Sequence, residues 1–142
     1  MGMGFLKMKR KLNIIFVIVL SLFLVSCNSK YGDTSNVEVI KIESNTFTEN
    51  DINDGIDAVF KYFKKEYKGC ELLNIKYVGD AENTYDDWAK RNNKEESIAF
   101  ISDFIVHDNS KVQSLNEDTY TGWNWILVRN KGENWILVDN GY

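Results

Sequence analysis

The chain has a single histidine, His107, and two cysteines, Cys27 and Cys70. A zinc cluster needs three or four such ligands, so none can be assembled from this inventory. No G-x-S-x-G, G-x-x-x-x-G-K or G-x-G-x-x-G occurs, which leaves nucleophile-elbow hydrolysis, phosphate-loop binding and dinucleotide binding without a motif. The segment Asp51-Ile52-Asn53-Asp54-Gly55 falls short of a calcium loop. Its glycine arrives one position early, and the residues after it continue a helical pattern. Neither a metal nor a cofactor is expected.

What is present begins with a leader. Lys7, Lys9, Arg10 and Lys11 precede an apolar run over 14–25 broken only by Ser21, and then come Ser26 and Cys27. The run is too short for an ordinary spanning helix, which takes about 20 apolar residues. It fits the hydrophobic region of a secretory signal, with its basic residues on the cytoplasmic side. The ending resembles the lipobox of bacterial lipoproteins. That resemblance implies removal of residues 1–26, a diacylglyceryl group on the Cys27 sulfur, and attachment to the outer face of the cell membrane. An uncleaved N-terminal anchor and plain secretion without lipid are the competing readings. Two acyl chains anchor a protein stably where one holds marginally.

The mature part then has 116 residues, one domain's worth. All 21 acidic residues fall in it but only 13 of the 17 basic ones, a formal charge of −8. Such a domain is poorly suited to nucleic acid or to anionic headgroups. With Cys27 lipidated, Cys70 has no disulfide partner and reads as a small buried hydrophobe. Residues 28–36 are polar and aperiodic and read as a tether holding the domain roughly 15–20 Å from the anchor. Residues 37–42 (VEVIKI) are either a short edge strand or a segment laid on the core.

The strongest helix is expected over 48–68. Ile52, Ile56, Val59, Phe60, Phe63 and Tyr67 form one stripe at a 3.6 period. Thr48 is the N-cap, acidic residues crowd the first half, lysines the second, and Gly69 is the left-handed stop. A strand follows over 70–78, with Leu73, Ile75 and Tyr77 on one face and a bulge near Leu72-Leu73. A short helix is expected over 84–93. A strand over 97–107 is apolar on both faces and so expected to be covered on both. Asn124-Trp125-Ile126-Leu127-Val128 recurs ten residues later as Asn134-Trp135-Ile136-Leu137-Val138, which predicts a hairpin with Gly132 at its tip. A two-residue loop would set Trp125 against Val138 and Leu127 against Ile136, with Trp123, Trp125 and Leu127 facing the helix.

These elements make an α+β domain over 48–142, an N-terminal amphipathic helix and a short second helix packed on a curved four-stranded antiparallel sheet. The order, the Gly69-Cys70-Glu71-Leu72-Leu73 junction, and Trp125, Leu127, Arg129, Gly132, Trp135, Val138, Asp139 and Gly141-Tyr142 carry a resemblance. The domain resembles the NTF2-like (cystatin-like) superfamily, and more narrowly small lipoproteins of Gram-positive bacteria with that fold. The resemblance implies a fold, a cavity or a dimerising sheet face, and no single activity.

Two carboxylates, Asp103 and Asp139, interrupt apolar strand patterns. In a hydrophobic cavity such a group has a raised pKa and can act as a general base, as isomerases of that superfamily do by resemblance. Pairing with Arg129, loop capping or plain exposure are the structural alternatives. Cys70 with His107 is the only conceivable thiol–base pair. Trp135, Trp88 and Tyr142 are candidates for an aromatic binding patch. The reading reached is a membrane-anchored extracytoplasmic module that binds a protein or small molecule without catalysis. The alternatives are an isomerase or dehydratase using a carboxylate in the sheet cavity, and a homodimer formed through the sheet face.

Overall fold

A computed structural model describes residues 31–82, 86–108, 112 and 115–142. The expected leader, the lipidated Cys27 and the first residues of the short helix, Thr84 and Tyr85, lie outside the described residues.

The amphipathic stripe forms helix α1 (Glu49–Glu66). Thr48, in extended conformation, caps it: its Oγ1 accepts the Asp51 N–H at 3.1 Å while the Asp51 carboxylate accepts the Thr48 N–H at 2.9 Å. This reciprocal capping box satisfies two donors that a helix start otherwise leaves open. Gly69, at φ +80°, turns the chain out of the helix, as a left-handed residue without Cβ does at low cost. Ile56, Val59 and Phe63 are buried beneath the helix. Filling such positions with Val or Phe is worth about 2 kcal/mol each. Gly55 permits the closest approach: a Cβ there would stand 2.7 Å from the Phe100 ring.

The sheet has five strands in the order β1 (Glu38–Ile40), β2 (Cys70–Tyr77), β3 (Glu96–Val106), β4 (Asp118–Arg129) and β5 (Ile136–Gly141). It is open, with β1 and β5 at its edges, and mixed rather than all-antiparallel. β1 runs parallel to β2, and the remaining neighbours are antiparallel. The expectation of four antiparallel strands is corrected by β1, the VEVIKI segment. Parallel neighbours require a crossover, and α1 supplies it.

The tether expected over 28–36 is also shorter than its composition implied. The Gly32 N–H donates to the Lys64 carbonyl at 2.9 Å, and Asp33 bonds through its backbone to Cys70 and Leu72. The chain is therefore fastened to the domain from Gly32 onward. Gly32 is obligatory at that point, since a Cβ would lie 2.4 Å from the Phe63 carbonyl oxygen.

Local irregularities set which side chains face α1. The register of β2 against β3 slips between Leu72 and Asn74, the bulge expected near Leu72-Leu73. The slip puts Leu72 in the core with Ile75 and Tyr77 and leaves Leu73 half-buried, the reverse of the expected face for Leu73. In the hairpin, Trp125 faces Asn140 and Leu127 faces Leu137, with a bulge between. The loop is longer than two residues, so the pairings with Val138 and Ile136 do not form. Trp125 and Leu127 nevertheless face the core, fully buried.

Helix α2 (Asp86–Arg91) lies on the other side of the sheet, in contact with β3 and β4. Ala89, Ala99, Ile126 and Val128 are buried there, apart from the main core. Among the described residues β3 is thus covered on both faces only at its Glu96 end. Further along, Ile101, Asp103 and Ile105 stay half-exposed.

Candidate functional site

Concavity and apolar lining meet at the N-terminal end of α1. The chain leaves β1 at Ile40, passes through 41–47 and enters the helix, so the segment stands away from the sheet and opens a groove of about 540 Å³. Val39, Ile42, Phe47, Ile52 and Ile56 line it, with Lys41, Glu49 and Asn53 among its polar residues. Val39, Ile40 and Ile42 are 40, 38 and 37% exposed, an apolar run left open on the sheet's edge. Lys41 and Glu49 are paired at 3.2 Å and almost wholly exposed, a contact worth well under 1 kcal/mol.

The wall of this groove is fixed by one carboxylate. Asp80 accepts the Ser44 hydroxyl at 2.5 Å, the Asn45 N–H at 2.6 Å and the Tyr77 hydroxyl at 3.0 Å. The Ser44 hydroxyl in turn accepts the N–H groups of Thr46 and Phe47. The bond from Ser44, followed by that from Asn45, holds the Asp80 carboxyl below its ordinary pKa. The Phe47 ring is wedged edge-on between Tyr77 at 6.0 Å and Trp135 at 5.8 Å. A groove held this way is preformed, which lowers the ordering cost of binding.

Behind Phe47 stands a buried cation. Arg129 is 7% exposed and donates to Asp51 at 2.7 Å and to Glu96 at 2.6 Å, with its guanidinium 4.0 Å from the Trp135 ring centre. Burial disfavours its charge, but the two carboxylates outweigh that and raise its pKa. The Arg129 bond, then that of Thr48, draws the Asp51 carboxyl down to about 2. The Trp135 indole N–H donates to the Asp51 carbonyl at 2.9 Å. One arginine therefore ties the helix start to β3, to β4 and to the entry of β5.

The sequence-predicted residues are not brought together. Asp103 is half-buried and fully engaged: it accepts from the Asn74 side chain at 2.8 Å and from the Gly122 N–H at 2.9 Å, while its own N–H donates to Asn74 at 3.1 Å. It fastens the bulge of β2 to the irregularity of β4 near Gly122. Asp139 is exposed and lies two strands away, opposite Ile126. By strand parity both carboxylates sit on the face turned away from α1, outside the groove. Arg129, expected as a partner for one of them, is taken by Asp51 and Glu96. Cys70 is buried among core residues, and the His107 ring is directed to Glu71 at 3.3 Å.

The aromatic candidates also part company. Trp135, expected on an exposed patch, is 6% exposed and belongs to the core, because its ring serves as the floor for Arg129. Trp88 is half-buried on α2, with Arg91 over its ring at 5.6 Å. Tyr142 is 81% exposed and leans on Trp123, ring centres 5.1 Å apart. The groove residues Val39, Ile42 and Phe47 were missed as a site. The VEVIKI composition was the available signal: four β-branched apolar residues interrupted by Glu38 and Lys41 break strict alternation and leave apolar side chains on an uncovered edge. Among the described residues no group of three His, Cys, Asp or Glu stands close enough to hold a metal ion. No protein-family model, no curated protein and no solved structure matches the chain.

Proposed function

We propose that this chain is a membrane-anchored extracytoplasmic lipoprotein of a Gram-positive type envelope that binds an apolar ligand, without catalysis, in the groove between β1 and α1. The observation that carries the binding reading is the groove's composition. Six aliphatic or aromatic side chains line it beside six polar ones, and its ionisable residues, Lys41, Glu43 and Glu49, lie exposed at its edge. That is recognition chemistry, a concavity with a continuous apolar wall and polar groups around it. Asp103 and Asp139, the carboxylates the sequence offered for acid–base work, stand on the other side of the sheet, and the Cys70–His107 pair is not formed, His107 being directed to Glu71. The isomerase or dehydratase alternative therefore has neither of its carboxylates in the groove, where the only acidic residues among the lining, Glu43 and Glu49, are exposed.

The anchoring part of the proposal rests on the basic residues, apolar run and small residue that precede Cys27. Among the described residues no helix is long and apolar enough to cross a membrane; in this reading Cys27 carries the attachment. An NTF2-like (cystatin-like) domain is part of the same proposal. It is supported by the antiparallel run of β2 to β5 beneath α1, with β1 as an addition at the edge.

The test is titration of the full chain with N-phenyl-1-naphthylamine, an uncharged apolar fluorophore. Saturable enhancement is expected, lost in Ile42→Asp and retained in Asp139→Asn. Ile42 is exposed enough for the charge to leave folding intact. Unsaturable enhancement, or equal binding by Ile42→Asp, removes the groove as the site.

A further inference from the structure

The far end of α1 carries a second concavity of different chemistry. Tyr31–Ser35 of the fastened N-terminal strap and the outer face of α1 enclose an open groove of about 900 Å³. Lys61, Lys64, Lys65 and Lys68 line it, with Phe60 and the 65%-exposed Tyr31 as its apolar contribution. Two carboxylates also line it, Asp33 and Asp57. Asp33 accepts from the N–H and hydroxyl of Ser35 at 2.8 and 2.6 Å. Lys65 is paired with its neighbour Glu66; among the described residues no ion pair involves Lys61, Lys64 or Lys68. A domain with formal charge −8 thus gathers four of its 13 cations within eight residues. Lysines near a helix C-terminus complement the dipole, but that effect needs neither four of them nor a groove.

A second observation fixes what covers this face. The strap is bonded to α1 at Gly32, through the Lys64 carbonyl, and Cys27 stands five positions earlier. Five extended residues reach at most about 17 Å. A lipid on Cys27 therefore keeps Gly32, and the lysine face beside it, within about 17 Å of the anchor. From this we infer that Lys61, Lys64, Lys65 and Lys68 dock on the headgroups of anionic phospholipid in the membrane that holds Cys27. The inference rests on the proposed lipid anchoring. It reverses the expectation drawn from net charge: the acidic excess lies elsewhere on the domain, and the lysine face is the one the anchor presents. Tyr31, four positions after Cys27, is an amphipathic ring of the kind that settles in an interface.

The experiment uses the full chain expressed with its leader, the lipid on Cys27 verified by mass spectrometry. The protein is reconstituted in phosphatidylcholine vesicles with or without phosphatidylglycerol, and its lysines are acylated with a membrane-impermeant reagent. With phosphatidylglycerol, Lys61, Lys64, Lys65 and Lys68 should react at least about fivefold more slowly than in phosphatidylcholine alone, the scale of one lysine at an anionic surface. Lys131, in the β4–β5 turn at the other end of α1, should be unaffected. Equal reactivity in the two vesicles, with the lipid present on Cys27, overturns the docking and leaves the anchoring in place. Absence of the lipid mass on Cys27 removes the anchoring and the docking together. Protection reproduced by inorganic phosphate alone overturns the bilayer surface as the occupant.

Discussion

The two ends of α1 are built on opposite terms. At the N-terminal end the chain stands away from the sheet, leaves an aliphatic groove open and buries its charge behind it, in Arg129, Asp51 and Glu96. At the C-terminal end the strap is pressed onto the helix at Gly32, the interior is an aromatic cluster packed mostly edge-on, and the charge is outside, in four lysines. Phe63 and Tyr67 stack at 4.9 Å, and Tyr67 meets Phe104 at 5.4 Å and Trp125 at 5.3 Å. Burial pushes the Tyr67 phenol pKa upward, and its hydroxyl donates to Asn140 on β5. The difference teaches that one amphipathic helix can hold a domain together along its length while offering two unlike surfaces at its tips.

Substitutions that weaken one end and spare the other sharpen this contrast. The largest effect is expected from Phe63→Ala. It empties the centre of the aromatic cluster and should cost about 4 kcal/mol in denaturant unfolding, with apolar-probe binding at the distant groove retained in the folded fraction.

Arg129→Met comes next. It leaves the Asp51 and Glu96 carboxylates near one another without their cation, and removing one partner of a buried pair costs about 3 kcal/mol. The same variant tests the acid response. Asp51 titrates at about 2 in the folded chain against an ordinary 3.8. A depressed carboxylate contributes stability that is fully present above its unfolded pKa and lost as pH falls through the folded one. Stability should therefore decline between about pH 4 and pH 2, more steeply in the parent chain than in Arg129→Met. Parallel declines would mean that Arg129 does not set the Asp51 carboxyl.

Gly32→Val cannot keep the strap seated against the Phe63 and Tyr67 carbonyl oxygens. Because the strap lifts away while the core stays packed, its effect on stability should be the smallest of the three, about 2 kcal/mol. Its informative consequence is local. Backbone amides of Asp33 and Leu72 should exchange faster with deuterium, while that of Asp51 is unchanged. Uniform acceleration at both ends would show that the strap is not an independent fastening.

Much of this architecture was legible because its signals are local. Thr48, the stripe from Ile52 to Tyr67 and Gly69 mark α1 within a residue or two, and Gly132 at φ +81° lies in the turn between β4 and β5. The bulge at Leu72-Leu73 follows from a change of parity within nine residues. What was not legible depends on partners far along the chain. Trp125 and Trp135 sit in nearly identical heptapeptides, yet only Trp125 lies in a strand; Trp135 is fixed by Asp51, 84 residues away. Asp103 read as a candidate base because an isolated carboxylate among apolar residues has two meanings. Asn74 and Gly122, 29 and 19 positions off, decide for the structural one. β1 escaped a firm assignment because three exposed residues have no alternation, and its parallel pairing exists only once α1 has folded back. The strap escaped because its polar composition is that of a tether, and the fit of Gly32 under Phe63 is a property of the assembled core.

The most direct test of the contrast between the two ends measures their heights above a bilayer. The lipidated full chain, carrying a fluorophore at Lys61→Cys or at Lys131→Cys, is reconstituted in vesicles containing phosphatidylglycerol and an acceptor at the headgroup level. Energy transfer should be markedly stronger from position 61 than from position 131, with the helix between them standing away from the membrane. Equal transfer from both positions, or stronger transfer from 131, would contradict the account.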